Sequence, residues 1–163
     1  MDSALRPRRS VLFMPGANAR ALEKARGIDC DGIIIDLEDA VAPDLKVEAR
    51  ERAAEVVREH PYGHREVAIR VNGMDTEWYR DDIEAAVAAG PDAIAVPKVG
   101  SGEQVRTIVA DMEAAGAGEG MKLWAMIETP RAVLDCCEIA GASDRLAVLI
   151  MGTNDLTKEL RAS

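Results

Sequence analysis

The feature that most constrains the fold is a regular alternation of short apolar runs with segments of helical period. The runs are rich in Val, Ile and other aliphatic residues, and between them apolar residues recur every three or four positions, as on one face of an α-helix. This alternation is typical of βαβ units and a parallel sheet. The predicted strands are residues 10–14, 32–37, 67–71, 93–96, 123–127 and 146–151.

Most helical segments begin with a residue that favours a helix N-terminus, and proline follows one of these caps. The predicted starts are Asn18, Asp44, Thr76, Ser101, Thr129 and either Asn154 or Asp155. The inner stripe of the second helix is predicted to consist of Val47, Ala53, Ala54 and Val57.

The number of βα units favours a barrel over an open sheet. A complete (β/α)8 barrel typically needs about 250 residues, whereas this chain has 163. We therefore predict an α/β fold: a single TIM-barrel catalytic domain, residues 1–163, that covers about the first six βα units. A doubly wound sheet of five or six strands is the alternative. Polar residues at the carboxyl ends of at least four strands, rather than at one switch point, favour the barrel.

Composition excludes several classes of function. The net charge of -9 argues against nucleic acid or an anionic membrane as the main partner, and no apolar stretch is long enough to span a bilayer. The three cysteines form neither a disulfide framework nor a CxxC motif, which predicts a cytoplasmic protein. Cys30 and the adjacent Cys136 and Cys137 are interpreted as small core residues.

Two carboxylates follow the last two predicted strands. Glu128 comes directly after one of them, and Asp155 lies four residues after the other. Because the carboxyl ends of parallel strands open onto one crevice, the two side chains can converge on a divalent cation. Oxygen ligands suit Mg2+, which takes one or two carboxylates and keeps several waters. The alternative is a helix N-terminal charge and an ordinary turn residue.

Arg70 lies near the carboxyl end of an otherwise apolar strand, on the same predicted face as Ala68 and Asn72. A guanidinium is rarely buried unpaired, so it requires a carboxylate from the protein or from a ligand. The protein partners available are Asp36 and Glu38, and a ligand role can coexist with such a salt bridge.

The segment GTNDL, residues 152–156, combines a glycine with the predicted start of a helix. Its glycine permits close approach of a ligand, and the amides of residues 153–155 form an anion site. This arrangement suits a 2-oxo acid. Lys98 also follows a strand, where a Schiff-base role is possible, but we interpret it as a solvated lysine. His60 and His64 are interpreted as surface loop residues.

Six motifs occur in a fixed order: RSVLFMPG, IIIDLEDAVAPDLKVEAR, VAIRVNG, AIAVPKV, MIETPRAV and GTNDL. They resemble those of the citrate lyase beta subunit, malyl-CoA lyase and related proteins of the HpcH/HpaI aldolase superfamily. The resemblance implies a barrel that binds Mg2+, or Mn2+ in its place, through Glu128 and Asp155. It also implies that Arg70 binds the keto or carboxylate oxygen of the substrate and that Asp36 supports Arg70 or a metal-bound water. The substrate-binding set is Arg70, Gly152, Thr153 and Asn154.

The activity implied by the resemblance is cleavage or formation of a carbon-carbon bond in a 3-hydroxyacyl-CoA such as malyl-CoA or citramalyl-CoA. The pyruvate aldolases of the superfamily have a histidine where this chain has Asp39, which favours the CoA-lyase branch. In the lyases, an acidic residue from a C-terminal part absent from this sequence reaches a neighbouring subunit as acid/base, so a homo-oligomer is expected at full length. From charge alone, the candidates for binding the CoA phosphates are Arg8, Arg9, Arg20 and Lys24.

Other functions remain open from the sequence. A malyl-CoA thioesterase or a 2-oxo acid aldolase would use the same scaffold. A hypothesis of a different class is an inactive fragment or regulatory remnant that needs a partner chain to cover its exposed sheet edges.

Overall fold

The computed structural model describes residues 6–59 and 62–162. The strands are β1 Val11–Pro15, β2 Gly32–Asp36, β3 Glu66–Arg70, β4 Ala93–Val96, β5 Lys122–Ile127 and β6 Leu146–Met151. The helices are α1 Ala19–Ala25, α2 Lys46–Arg58, α3 Tyr79–Ala89, α4 Gly102–Ala114, α5 Pro130–Leu134, α6 Cys136–Ala140 and α7 Thr153–Leu160. His64 is exposed as predicted, whereas His60 lies outside the described residues.

The six strands form one parallel sheet in the order β1-β2-β3-β4-β5-β6. A doubly wound sheet reverses its strand order at a switch point, and this sheet does not. The predicted α/β fold with about six βα units of a barrel is therefore confirmed. In the described part of the chain β1 and β6 are the two ends of the sheet, so the barrel is not closed there.

The two faces of the sheet carry different side chains. The outer face packs against the helices in one large aliphatic core. The inner face holds a smaller cluster of Ile34, Ala68, Ala93, Ala95 and Trp124. Because side chains alternate along a strand, Asp36 and Arg70 lie on this same inner face, two residues beyond Ile34 and Ala68. The sheet thus places a charged pair at the open carboxyl end of the barrel interior.

The start of α2 differs from the prediction. A 3-10 turn, Pro43–Leu45, precedes the helix, which begins at Lys46. Val47 is 55% exposed, so its predicted place on the inner stripe is wrong, and Lys46 is buried there instead. The other three residues of the predicted stripe are buried, so only its first position differs. The buried residues of α2 are Lys46, Ala49, Ala53, Ala54 and Val57.

The predicted caps are confirmed at three helices. The side chains of Asn18, Ser101 and Thr129 each accept a hydrogen bond from a backbone amide of the first turn. Thr76 does not cap α3, because its hydroxyl donates to the Gly73 carbonyl and the helix begins at Tyr79. The last helix begins at Thr153, just before the predicted start.

The adjacent cysteines are not core residues. Cys30 is buried as predicted, but Cys136 is partly exposed and Cys137 is exposed on the short helix α6. Among the described residues, no helix has the length and apolar character needed to cross a bilayer.

Candidate active site

The predicted site residues line one cleft of about 450 Å3 at the carboxyl ends of the strands. Its walls include Phe13 from β1, Met126 from β5 and Ile150 from β6. Asp39 lines it too, and the predicted functional residues in its lining are Asp36, Arg70, Glu128, Gly152, Thr153, Asn154 and Asp155. The structure therefore brings together every residue that the sequence assigned to the metal and to the 2-oxo acid.

Asp36 and Arg70 form the most closely held pair in the cleft. They are neighbours across the β2-β3 ladder, so both side chains rise from the inner face. Arg70 Nε donates to Asp36 Oδ1 and Nη2 donates to Oδ2, each at 2.7 Å. Asp36 is 1% exposed and Arg70 6%. The bidentate geometry fixes the plane of the guanidinium, and the salt bridge considered from the sequence is confirmed.

Other groups surround the Arg70 guanidinium. Arg70 Nη1 lies 2.9 Å from Glu38 Oε2, and the centroid of the Phe13 ring lies 5.1 Å from Cζ. Burial lowers the pKa of Arg70, but the hydrogen bonds and charge of Asp36 outweigh it and raise the pKa overall. Burial also raises the pKa of Glu38 to about 7, against the opposing charge of Arg70. Arg70 is therefore a permanent cation held in one orientation.

Glu128 is buried at the end of β5, where one carboxylate oxygen has a fixed partner. Its Oε1 accepts a hydrogen bond of 2.7 Å from the backbone amide of Lys98, which adopts a left-handed backbone conformation with φ 55°. Burial raises the pKa of Glu128, the Lys98 amide lowers it, and the charge of Asp155 raises it again. The charge of Asp155 thus disfavours the ionised form of Glu128, and a bound cation would favour it.

The pair of carboxylates fits a magnesium ion by its donor chemistry. Both Glu128 and Asp155 offer hard oxygen ligands to the same cleft. No group of three or more His, Cys, Asp or Glu side chains that could hold a metal occurs within the described residues. A cation there would take its other ligands from water or substrate, as Mg2+ commonly does.

Gly152 makes room for the Glu128 carboxylate. A Cβ at position 152 would lie 2.4 Å from Glu128 Oε2 and 2.5 Å from Glu128 Cβ. Just beyond it, α7 begins at Thr153 with no side-chain hydrogen bond at its N-terminus. The first amides of α7 therefore open toward the cleft beside the carboxylates, where a helix N-terminus favours an anion.

We expect Gly152→Ala to displace the Glu128 carboxylate. The added methyl group cannot fit without movement of Glu128 or of the backbone, so the affinity for Mg2+ should fall by roughly tenfold or more. Isothermal titration calorimetry with Mg2+ measures this change. The matched control is Gly118→Ala, since a Cβ at position 118 meets nothing within 4 Å. Unchanged affinity in Gly152→Ala would contradict the position assigned to Glu128.

Two arginines proposed as contacts for CoA phosphates lie elsewhere. Arg8 and Arg9 precede β1, at the amino end of the sheet, where they bind Glu66 and Asp31 respectively. The cleft is at the opposite end, so this expectation is wrong for both residues. The other two candidates, Arg20 and Lys24, are exposed on α1 and remain predictions.

The side chain of Lys98 points to solvent rather than into a catalytic pocket. It is 54% exposed, and Nζ lies 3.8 Å from Glu38 Oε1. The interpretation as a solvated lysine is confirmed. What the sequence did not show is the role of the Lys98 backbone, whose amide holds Glu128.

The chain is similar to known proteins over nearly its whole length. Residues 9–163 match the HpcH/HpaI aldolase/citrate lyase family. A (3S)-malyl-CoA thioesterase of Cereibacter sphaeroides is 52% identical over 155 residues, which is 94% of this chain and 52% of the relative. An L-malyl-CoA/beta-methylmalyl-CoA lyase of the same species is 34% identical over 162 residues, 95% of this chain and 51% of the relative. The chain spans about half the length of these curated relatives.

Solved structures show the same fold. The citrate lyase beta subunit of M. tuberculosis, complexed with oxaloacetate and magnesium, superimposes with a TM-score of 0.74 at 28% sequence identity. The match covers 100% of this chain and 66% of that chain.

Proposed function

We propose, from the premise that the chain belongs to the HpcH/HpaI aldolase/citrate lyase family, that it carries the Mg2+ and 2-oxo acid site of an enzyme acting on malyl-CoA-type thioesters. The observation that supports this most directly is the convergence of a cation, Arg70, and two carboxylates, Glu128 and Asp155, on one cleft. We also propose that residues 1–163 form a single partial TIM-barrel domain.

Each residue of the cleft has a proposed role. Glu128 and Asp155 hold Mg2+, which when bound would act as a Lewis acid toward a substrate oxygen. Arg70 donates hydrogen bonds to the keto or carboxylate oxygen of the substrate, and Asp36 keeps the guanidinium in place. The amides that follow Gly152 donate hydrogen bonds to the substrate carboxylate at the N-terminus of α7.

Carbon-carbon cleavage is the reaction that this geometry favours. In malyl-CoA the hydroxyl proton passes to solvent water, the bond between the hydroxyl-bearing carbon and its neighbour breaks, and its electron pair passes into an acyl-CoA enolate, which takes a proton from water to give acetyl-CoA. Negative charge develops on the hydroxyl oxygen as its proton leaves and moves to the enolate oxygen as the bond breaks. A preorganised guanidinium such as that of Arg70 stabilises the charge on the hydroxyl oxygen, because Asp36 has already fixed its orientation.

Thioester hydrolysis is the second candidate. The 52% identity to a (3S)-malyl-CoA thioesterase favours it, and binding of the malyl group would use the same residues. The two reactions differ in their products. Cleavage of malyl-CoA yields acetyl-CoA and glyoxylate, whereas hydrolysis yields malate and free CoA.

The test is incubation of the purified protein with malyl-CoA and Mg2+, followed by product analysis. We expect one of the two product pairs, loss of activity on chelation with EDTA, and recovery when Mg2+ is added back. Activity that survives chelation, with borohydride trapping of substrate on Lys98, would overturn the metal-based proposal. Absence of both product pairs would favour the inactive-fragment hypothesis, for which exposed Leu149 and Met151 on β6 offer an apolar edge.

A further inference from the structure

The loop after β2 presents amides to Asp36. The Glu38 amide donates to Asp36 Oδ1 at 2.8 Å, and the Ala40 amide donates to Oδ2 at 3.0 Å. The same two oxygens accept the hydrogen bonds from Arg70, so each oxygen of Asp36 receives two. The orientation of the Arg70 guanidinium therefore depends on the conformation of residues 37–40.

Lys46 holds the carbonyl groups of that loop. Its Nζ donates to the Leu37 carbonyl at 2.8 Å and to the Glu38 carbonyl at 2.7 Å. The ammonium also lies 5.4 Å from the centroid of the Trp78 ring, within the range of a cation–π contact. The loop is thus fixed from both directions, since its amides bind Asp36 and its carbonyls bind Lys46.

A lysine at this position contradicts local preference. It is the first residue of α2, where the helix dipole disfavours a positive charge. Lys46 is only 6% exposed, and lysine is seldom buried so fully. Residues that break local rules occur most often where function requires them. Here the hydrogen-bond acceptors of the ammonium are the loop carbonyls, which points to the loop as the reason.

We propose that Lys46 is a positioning residue: it holds residues 37–40 in the conformation in which Asp36 aims Arg70 into the cleft. Lys46 acts through the backbone and Asp36 rather than by touching the substrate. The expected effect of Lys46 on substrate binding rests on the proposed function of Arg70. Its expected effect on the orientation of the Arg70 guanidinium does not.

The test compares Lys46→Met with wild type. Methionine keeps the length of the side chain and removes both hydrogen bonds to the loop. We expect roughly tenfold weaker binding of glyoxylate at saturating Mg2+, with the affinity for Mg2+ itself unchanged, both measured by calorimetry. We also expect faster solvent exchange of the Arg70 Nε–H proton by NMR. Lys122→Met, at the amino end of β5, is the matched control and should change neither measurement.

The outcomes separate this proposal from the proposed function. If wild type does not bind glyoxylate, the proposed function fails, while the exchange of Arg70 Nε–H still decides the role of Lys46. Unchanged exchange in Lys46→Met, or an equal loss of affinity for Mg2+ and glyoxylate, would overturn the positioning role. Should Lys46→Met not fold, Lys46→Gln decides, because its shorter, neutral side chain lacks the ammonium that bonds both carbonyls; unchanged exchange there has the same meaning.

Discussion

Arg70→Met is expected to abolish most of the activity, with kcat/KM reduced by about 10^2 to 10^3-fold. Loss of one preorganised donor to a developing oxyanion typically has an effect of this size. The substitution should also lower the free energy of unfolding by roughly 3–5 kcal/mol, because Asp36 would remain buried with its charge unpaired. Steady-state kinetics with malyl-CoA and denaturant unfolding measure the two effects.

A double variant distinguishes the two effects of losing Arg70. Asp36→Asn combined with Arg70→Met removes the unpaired charge, so it should recover much of the stability while activity stays low. Arg131→Met is the surface control: Arg131 pairs with Asp135 but is 78% exposed, and such a pair contributes about 1 kcal/mol or less. Near-normal kcat/KM in a folded Arg70→Met variant would contradict the role proposed for the guanidinium.

The sheet could be predicted from the sequence because apolar runs alternate with segments of helical period along most of the chain. One irregular residue does not obscure a pattern of that length. The predicted bounds of β4 and β6 agree with the structure. The same reasoning brought the strand-end residues to one cleft, since parallel strands share their carboxyl edge. It also excludes Arg8 and Arg9 from the cleft, because residues that precede β1 lie at the amino edge. The positive charge of these two arginines does not indicate at which edge they lie.

The local details that were missed depend on one or two dihedral angles. The contribution of Lys98 to the cleft is a backbone amide presented by a positive φ, which no side-chain pattern in the sequence indicates. The role of Lys46 was hidden by the 3-10 turn before α2, which puts Lys46 rather than Val47 in the buried position. The period of the apolar residues favours Val47 and does not indicate a buried lysine. A lysine at a helix start was the only available signal.

Glu128→Gln is expected to weaken Mg2+ binding by about a hundredfold or more, because it removes one of two anionic ligands, and activity should fall with it. In the metal-free protein, the substitution should not lower the stability of the fold. Burial raises the pKa of Glu128 above its ordinary 4.5, so the stability that this group contributes at low pH is lost as pH rises through the raised pKa.

At pH 7 in EDTA, the Tm of Glu128→Gln should therefore equal or exceed that of wild type, and the difference should disappear below about pH 4. Thermal unfolding across this pH range measures the change in Tm, and calorimetry measures the affinity for Mg2+. Glu119→Gln, in an exposed turn, should alter neither. A variant that keeps wild-type affinity for Mg2+ would remove Glu128 from the metal site, while a lower Tm in EDTA would mean that its carboxylate stabilises the fold. Weaker binding of Mg2+ together with an undiminished Tm in EDTA is the result expected if the buried Glu128 carboxylate binds the cation and does not stabilise the metal-free fold.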